Sequence, residues 1–134
     1  GNFHGTDFRG WAGDLGKVAS RLPRLTSLVA LGAAQQLVGS TWLRDFAKVP
    51  DTDPRVVYTS LYSPADTVVT PNTASELESV GGADVANVDS ARFYGGYAPL
   101  HMLMPRDPLY AELTLWGLTR DVGEHTPPEV DWLV

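Results

Sequence analysis

The chain has no cysteine among its 134 residues, so a disulfide, a thiolate metal site and a cysteine nucleophile are all excluded. That absence does not identify a compartment. It also lacks a basic patch. Its ten Lys and Arg are scattered against sixteen Asp and Glu, for a formal net charge of -6 and a pI near 4.8, a balance that disfavours a phosphate backbone as partner. No uninterrupted apolar run is long enough for a membrane span. The longest mainly apolar window, Leu25 to Leu43, is broken by Thr26, Ser27, Gly32, Gln35, Gln36, Gly39 and Ser40. With no initiator Met and no charged-then-apolar leader at the start, any signal peptide is expected on sequence upstream of Gly1. Finally, no Gly-x-Ser-x-Gly occurs: Ser20, Ser27 and Ser40 lack glycines two positions away on both sides.

What is present suffices for one packed domain, since 43% of the residues are hydrophobic and no long polar tract, repeat or low-complexity segment interrupts them. Residues 1–16 read as a loop rich in Gly, Asp and aromatic residues. A helical pattern follows over 25–49, with Leu28, Leu31, Gln35 and Val38 on one side. Ser40 is placed to cap a second helix carrying Trp42, Leu43, Phe46 and Val49. Pro50-Asp51-Thr52-Asp53-Pro54 is a turn, after which Arg55 to Tyr62 has β character. Asn72 is expected to cap a short turn or helix through Leu77. Gly81-Gly82 then leads into a second β run, Val85 to Asp89. Alternation of strand, loop, helix and strand predicts an α/β fold whose sheet is mainly parallel and flanked by helices. Asp107-Pro108 pairs a cap residue with Pro at the first helical position, and Leu109, Leu113 and Trp116 follow at helical spacing. That helix is expected to cover the sheet. Residues 121–134, with Pro127-Pro128, read as a weakly packed tail.

Asp66 lies just after the first β run and His101 lies downstream, beyond an aromatic loop and before the capped helix. A carboxylate at a strand end and a histidine on a loop are the acid and base of a catalytic triad, in which the Asp orients the imidazole and stabilises the imidazolium. Each residue also has a plainer reading: a turn Asp bonding its own backbone, and a structural histidine. His4 is expected in a turn and His125 in solvent. No two histidines share ligand spacing on one element, so no metal site is expected. Asp51 with Asp53, and Glu76 with Glu78, read as solvated faces rather than calcium or glycosidase carboxylates.

Thr59-Ser60-Leu61-Tyr62-Ser63-Pro64-Ala65-Asp66-Thr67-Val68-Val69-Thr70-Pro71 resembles the strand-plus-acid segment Tyr-Ser-x-x-Asp-x-x-Val-x-Pro of the α/β-hydrolase lipases, the fungal and actinobacterial triacylglycerol lipase and esterase group. Phe3-His4-Gly5-Thr6 resembles that group's Pro-x-His-Gly-Thr loop without its Pro. Gln35-Gln36-Leu37-Val38-Gly39-Ser40 resembles its cap region, and Ala86-Asn87-Val88 resembles its short strand between acid and base. His101-Met102-Leu103-Met104-Pro105-Arg106-Asp107-Pro108 resembles the base followed by the Asp-Pro helix start. The resemblance implies the C-terminal half of an α/β-hydrolase fold over residues 1–120, with cap-like helices near 25–49. Asp66 and His101 would be catalytic in hydrolysing carboxylic esters, with no cofactor, and the family works in extracellular lipid degradation. The nucleophilic Ser is then expected on an N-terminal half carrying Gly-x-Ser-x-Gly. Phe3, Phe8, Trp11, Leu37 and Trp42 are candidates for an acyl-chain pocket or for ordinary core. Two other readings stay open. One is a noncatalytic binding or assembly module, which like the first predicts a neighbouring chain or self-association, because a half sheet has an unpaired edge. The other is amide or polyester cleavage or acyl transfer on the same scaffold.

Overall fold

A computed structural model describes residues 4–7, 9, 36 and 39–131. The expected helical stripe of Leu28, Leu31, Gln35 and Val38 lies outside the described residues, as do Phe3, Phe8, Trp11, Leu37, Trp132 and Leu133.

The described chain is a small α/β protein, a two-stranded parallel sheet flanked by helices. Its first helix, α1 (Thr41–Phe46), starts where Ser40 was expected to cap it. The Ser40 hydroxyl accepts from the Leu43 N–H at 3.1 Å. It is shorter than the sequence pattern suggested. After Phe46 the bonds tighten to i−3, from Lys48 N–H to Asp45 O and from Val49 N–H to Phe46 O, and Val49 is left exposed ahead of Pro50. Only Leu43 of this helix is buried. Trp42 and Phe46 stack on its outside with ring centroids 5.0 Å apart.

Strand β1 (Val57–Tyr62) begins two residues later than its composition suggests. Asp53 explains the delay: its carboxylate accepts the Arg55 N–H, and its carbonyl accepts the Val56 N–H, so both residues belong to the turn. Strand β2 (Asp84–Asp89) pairs parallel to β1, from Val57 opposite Asp84 to Tyr62 opposite Asp89. Side chains alternate between the two faces of this ribbon. Ala86 and Val88 point to one face and join Leu109, Leu113, Trp116 and Val130 in the core, with Leu61 packed against it. Ser60, Tyr62 and Asn87 point to the other, where the contacts are hydrogen bonds. The Ser60 hydroxyl donates to Ser75 O, the Tyr62 phenol to Glu76, and Asn87 brackets both the N–H and the carbonyl of Leu77.

Between the strands, Asn72–Ser75 form one 3₁₀ turn, ending two residues before the expected limit at Leu77. Asn72 is not its cap. Its amide instead donates to the carbonyls of Asp66 and Val69, tying the turn to the segment before it. Helix α2 (Ser90–Phe93) follows β2 directly, capped by Asp89. The Asp107-Pro108 signal is realised in α3 (Pro108–Thr119), where Asp107 accepts from the N–H groups of Leu109 and Tyr110. Leu109, Leu113 and Trp116 are all buried on the sheet, each worth roughly 1.5–3 kcal/mol of transfer free energy. The close approach of α3 to β1 requires Gly117, because a Cβ there would sit 2.9 Å from Thr59 Cγ2.

The tail is better packed than its Pro-rich composition suggests. Val130 is in the core, the Tyr94 phenol donates to Pro128 O, and the Trp116 indole donates to Glu124. Arg120 explains much of this order. Fully buried, it donates to Tyr58 O and the Thr59 hydroxyl of β1 and to Glu124 O of the tail, and it pairs with Asp84 at 2.6 Å. Among the described residues no helix is long and apolar enough to cross a membrane.

Candidate functional site

Asp66 and His101 meet. At the C-terminal end of β1 the chain turns through Ser63-Pro64-Ala65-Asp66, closed by a bond from Asp66 N–H to Ser63 O at 3.1 Å, with Pro64 supplying the first turn angle. The Ser63 hydroxyl, wholly buried, accepts from the Ala65 N–H. This turn delivers a nearly buried carboxylate whose side chain keeps only 7% of its exposure. Its Oδ1 accepts from the N–H groups of Val68 at 2.7 Å and Val69 at 2.9 Å. Its Oδ2 is 2.8 Å from His101 Nδ1. Three of the carboxylate's four lone-pair directions are thus engaged, two by neutral amides and one by the ring.

His101 sits in a turn of its own, held by bonds from Leu103 N–H and Met104 N–H to Leu100 O. The base of its loop is closed by the Tyr97 phenol, which donates to Asp107 at 2.5 Å. That bond, with burial second, raises the Tyr97 pKa above the ordinary phenol value. The imidazole is part exposed, at 39%. Opposite an ionised carboxylate, which has no hydrogen to give, Nδ1 is the donor, and in the neutral ring Nε2 then carries the lone pair. Among the described residues nothing bonds to Nε2. A base needs that tautomer and that exposure: one nitrogen anchored, the other available to take a proton.

Beside this loop an open hollow of about 570 Å³ is lined by Leu61, Met104, Pro105, Tyr110, Ala111 and Thr114. Its Tyr110 phenol, bonded to the Ser90 hydroxyl, is pushed up to about 12, chiefly by burial. It is therefore a neutral group. Of the expected acyl-pocket residues only Trp42 is described, and it stands on the exposed side of α1.

His4, His125, Asp51, Asp53 and Glu76 have structural partners. His4 Nε2 is 2.8 Å from Asp51 Oδ2, and the same oxygen accepts from the Glu78 N–H, so the pair braces two loops. His125 is exposed as expected, yet lies 3.2 Å from Asp84. Asp53 pairs with Arg55, and Glu76 accepts from Tyr62, whose phenol is raised well above its ordinary value by burial first and by Glu76 second. No group of three or more His, Cys, Asp or Glu gathers among the described residues.

The plainer expectation for Asp66, a turn Asp bonding its own backbone, is met, since its Oδ1 accepts from the Val68 and Val69 N–H groups. Residues 4–7 were expected in a loop, but no sequence signal told which segment they would join; they bond to residues 70–74 from His4 N–H to Ala74 O and from Asp7 N–H to Thr70 O. His-Gly-Thr stood out in the sequence only through resemblance.

Scanned against protein-family models the chain matches none, and no curated protein matches it either. The class defined by the structure is a small α/β protein with an anchored His–Asp pair beyond the C-terminal end of a parallel strand.

Proposed function

We propose that this chain supplies the acid and base of a serine hydrolase of lipase or carboxylesterase type, acting on ester or lipid substrates. The nucleophilic Ser comes from polypeptide outside this sequence that carries Gly-x-Ser-x-Gly. The observation that carries the reading is the 2.8 Å contact of His101 Nδ1 with a carboxylate whose other oxygen is held by two backbone amides. In the reaction, Ser Oγ attacks the ester carbonyl carbon while His101 Nε2 takes its proton. The imidazolium, stabilised by Asp66, then protonates the leaving alkoxide as the acyl-enzyme forms, and water repeats the cycle to release the acid. The family resemblance adds the expectation of an α/β-hydrolase half that works outside the cell.

A noncatalytic assembly module is the second reading, favoured by a different observation. The hydroxyls of Ser40, Ser60, Ser63, Ser79 and Ser90 are all engaged away from His101, and among the described strands β1 pairs on one side only. A fluorophosphonate probe on native material, followed by denaturing separation and intact mass, separates the two. A labelled serine on a polypeptide joined to or co-purifying with this chain, with labelling abolished by His101→Ala, supports the hydrolase. Unlabelled material that still binds a partner through this chain overturns it.

A further inference from the structure

We propose that Thr6 is a positioning residue for Asp66, acting through the peptide group between Val68 and Val69. This rests on the reading of Asp66 and His101 as acid and base. The hydroxyl of Thr6, a residue only 2% exposed, donates to Val68 O at 2.5 Å and accepts from the Thr70 N–H at 3.1 Å. Val68 O and the Val69 N–H belong to one planar peptide unit. The N–H end of that unit donates to Asp66 Oδ1.

An unbroken chain of hydrogen bonds therefore runs from Thr6 Oγ1–H to the Val68 carbonyl, through the rigid amide to the Val69 N–H, across the Asp66 carboxylate and on to His101 Nδ1–H. A donor on the carbonyl polarises the amide and strengthens its N–H, and it also holds the peptide plane at the angle Oδ1 requires. Neighbouring bonds reinforce the same plane. Asp7 N–H donates to Thr70 O. The Thr70 hydroxyl donates to the Asp7 carboxylate and accepts from the Arg9 N–H.

The molecule contains its own control. Thr52, also buried, donates its hydroxyl to Glu78 O at 2.7 Å and accepts from the Val80 N–H at 2.9 Å, the same stitch across two residues, but with no contact to the Asp66 loop. Removing either hydroxyl with Val keeps the side-chain shape and strips the same two bonds. Only one of the two lies on the path to His101.

The test is the downfield His101 Nδ1 proton in NMR of the full chain. In Thr6→Val it is expected to be lost or to exchange with solvent about tenfold faster or more, while Thr6→Ser and Thr52→Val keep it, even though both Val variants lower Tm. A wild-type exchange rate in folded Thr6→Val, equal loss in Thr52→Val, or absence of the resonance from the wild-type protein each overturns the proposal. Should Thr6→Val fail to fold, hydrogen exchange of the Val69 amide in the wild-type protein decides: slow exchange supports it, and exchange as fast as a free amide overturns it. The expected NMR pattern in a protein that no fluorophosphonate labels would keep the Thr6 linkage and remove the hydrolase reading.

Discussion

Asp66 follows the end of β1 and Asp84 begins β2, so the two carboxylates stand at opposite ends of the same parallel pair, each beside a histidine, His101 at 2.8 Å and His125 at 3.2 Å. The ingredients match; the companions differ. Asp66 is held by two neutral amides, dipoles that orient a carboxylate while leaving its net charge available to an imidazolium. Asp84 faces the fully buried guanidinium of Arg120, which already neutralises it, and accepts from the Gly123 N–H besides. Arg120 first, then Gly123, holds the Asp84 carboxyl below the usual range, and His125 adds little at the rim. A histidine beside an aspartate thus forms the pair proposed for catalysis at one end and stands at the rim of a structural latch at the other.

The largest expected effect comes from removing the charge at the first end. Asp66→Asn should lower ester hydrolysis by the nucleophile-complete protein about 10⁴-fold, through the wrong imidazole tautomer. Initial rates measure this, and a loss below about tenfold would erase the distinction between the two ends. Arg120→Met should leave those rates unchanged but lower Tm by about 10 °C, because Asp84, Tyr58 O and Glu124 O lose their shared donor. Thermal unfolding followed by circular dichroism reads the drop. Adding Asp84→Ala to that variant should restore part of it, since the stranded carboxylate is gone.

Acid sharpens the contrast more mildly. Asp84 and Glu124 both have folded pKa values below their ordinary ones, Asp84 through Arg120 and Glu124 chiefly through the Trp116 indole. Between the folded and unfolded values the unfolded chain binds more protons. Their contribution is therefore complete above about pH 5 and is lost as pH falls below about 4. Urea midpoints measured from pH 7 to pH 3 should fall over the acid end, and less so in Asp84→Asn; an unchanged fall in that variant would place the loss elsewhere. The smallest effect belongs to His125→Ala, expected within about 1 °C of the wild-type Tm because the ring is exposed and its partner is already satisfied.

Local chemistry was legible where neighbours in sequence are neighbours in space. Ser40 and Asp107 cap the helices that follow them because the cap bond spans three residues or fewer. Leu109, Leu113 and Trp116 share a face because the helix repeats every 3.6 residues, a general geometry. Even nearby, competing local bonds shifted some limits. Asp53 drew Arg55 and Val56 out of the strand, and Asn72 served the Asp66 loop instead of its own turn. The packing of the tail was illegible, since Pro and Gly content reports local stiffness and says nothing of a buried Arg120 reaching back to β1.

For the candidate site, the sequence by itself determined the two chemical groups and the turn that presents one of them: a carboxyl just past a strand, an imidazole on a loop, and Ser63-Pro64 to bend the chain between strand and acid. Only the tertiary structure decided that His101 reaches Asp66, 35 residues apart, and not Asp51 or Asp84. It also decided that Thr6, 62 residues from Val68, sets the peptide that holds the acid. The reason is physical. Caps, turns and periodicity arise from bonds within a few residues, whereas the charge and orientation of a buried carboxylate depend on which donors the fold brings against it from afar.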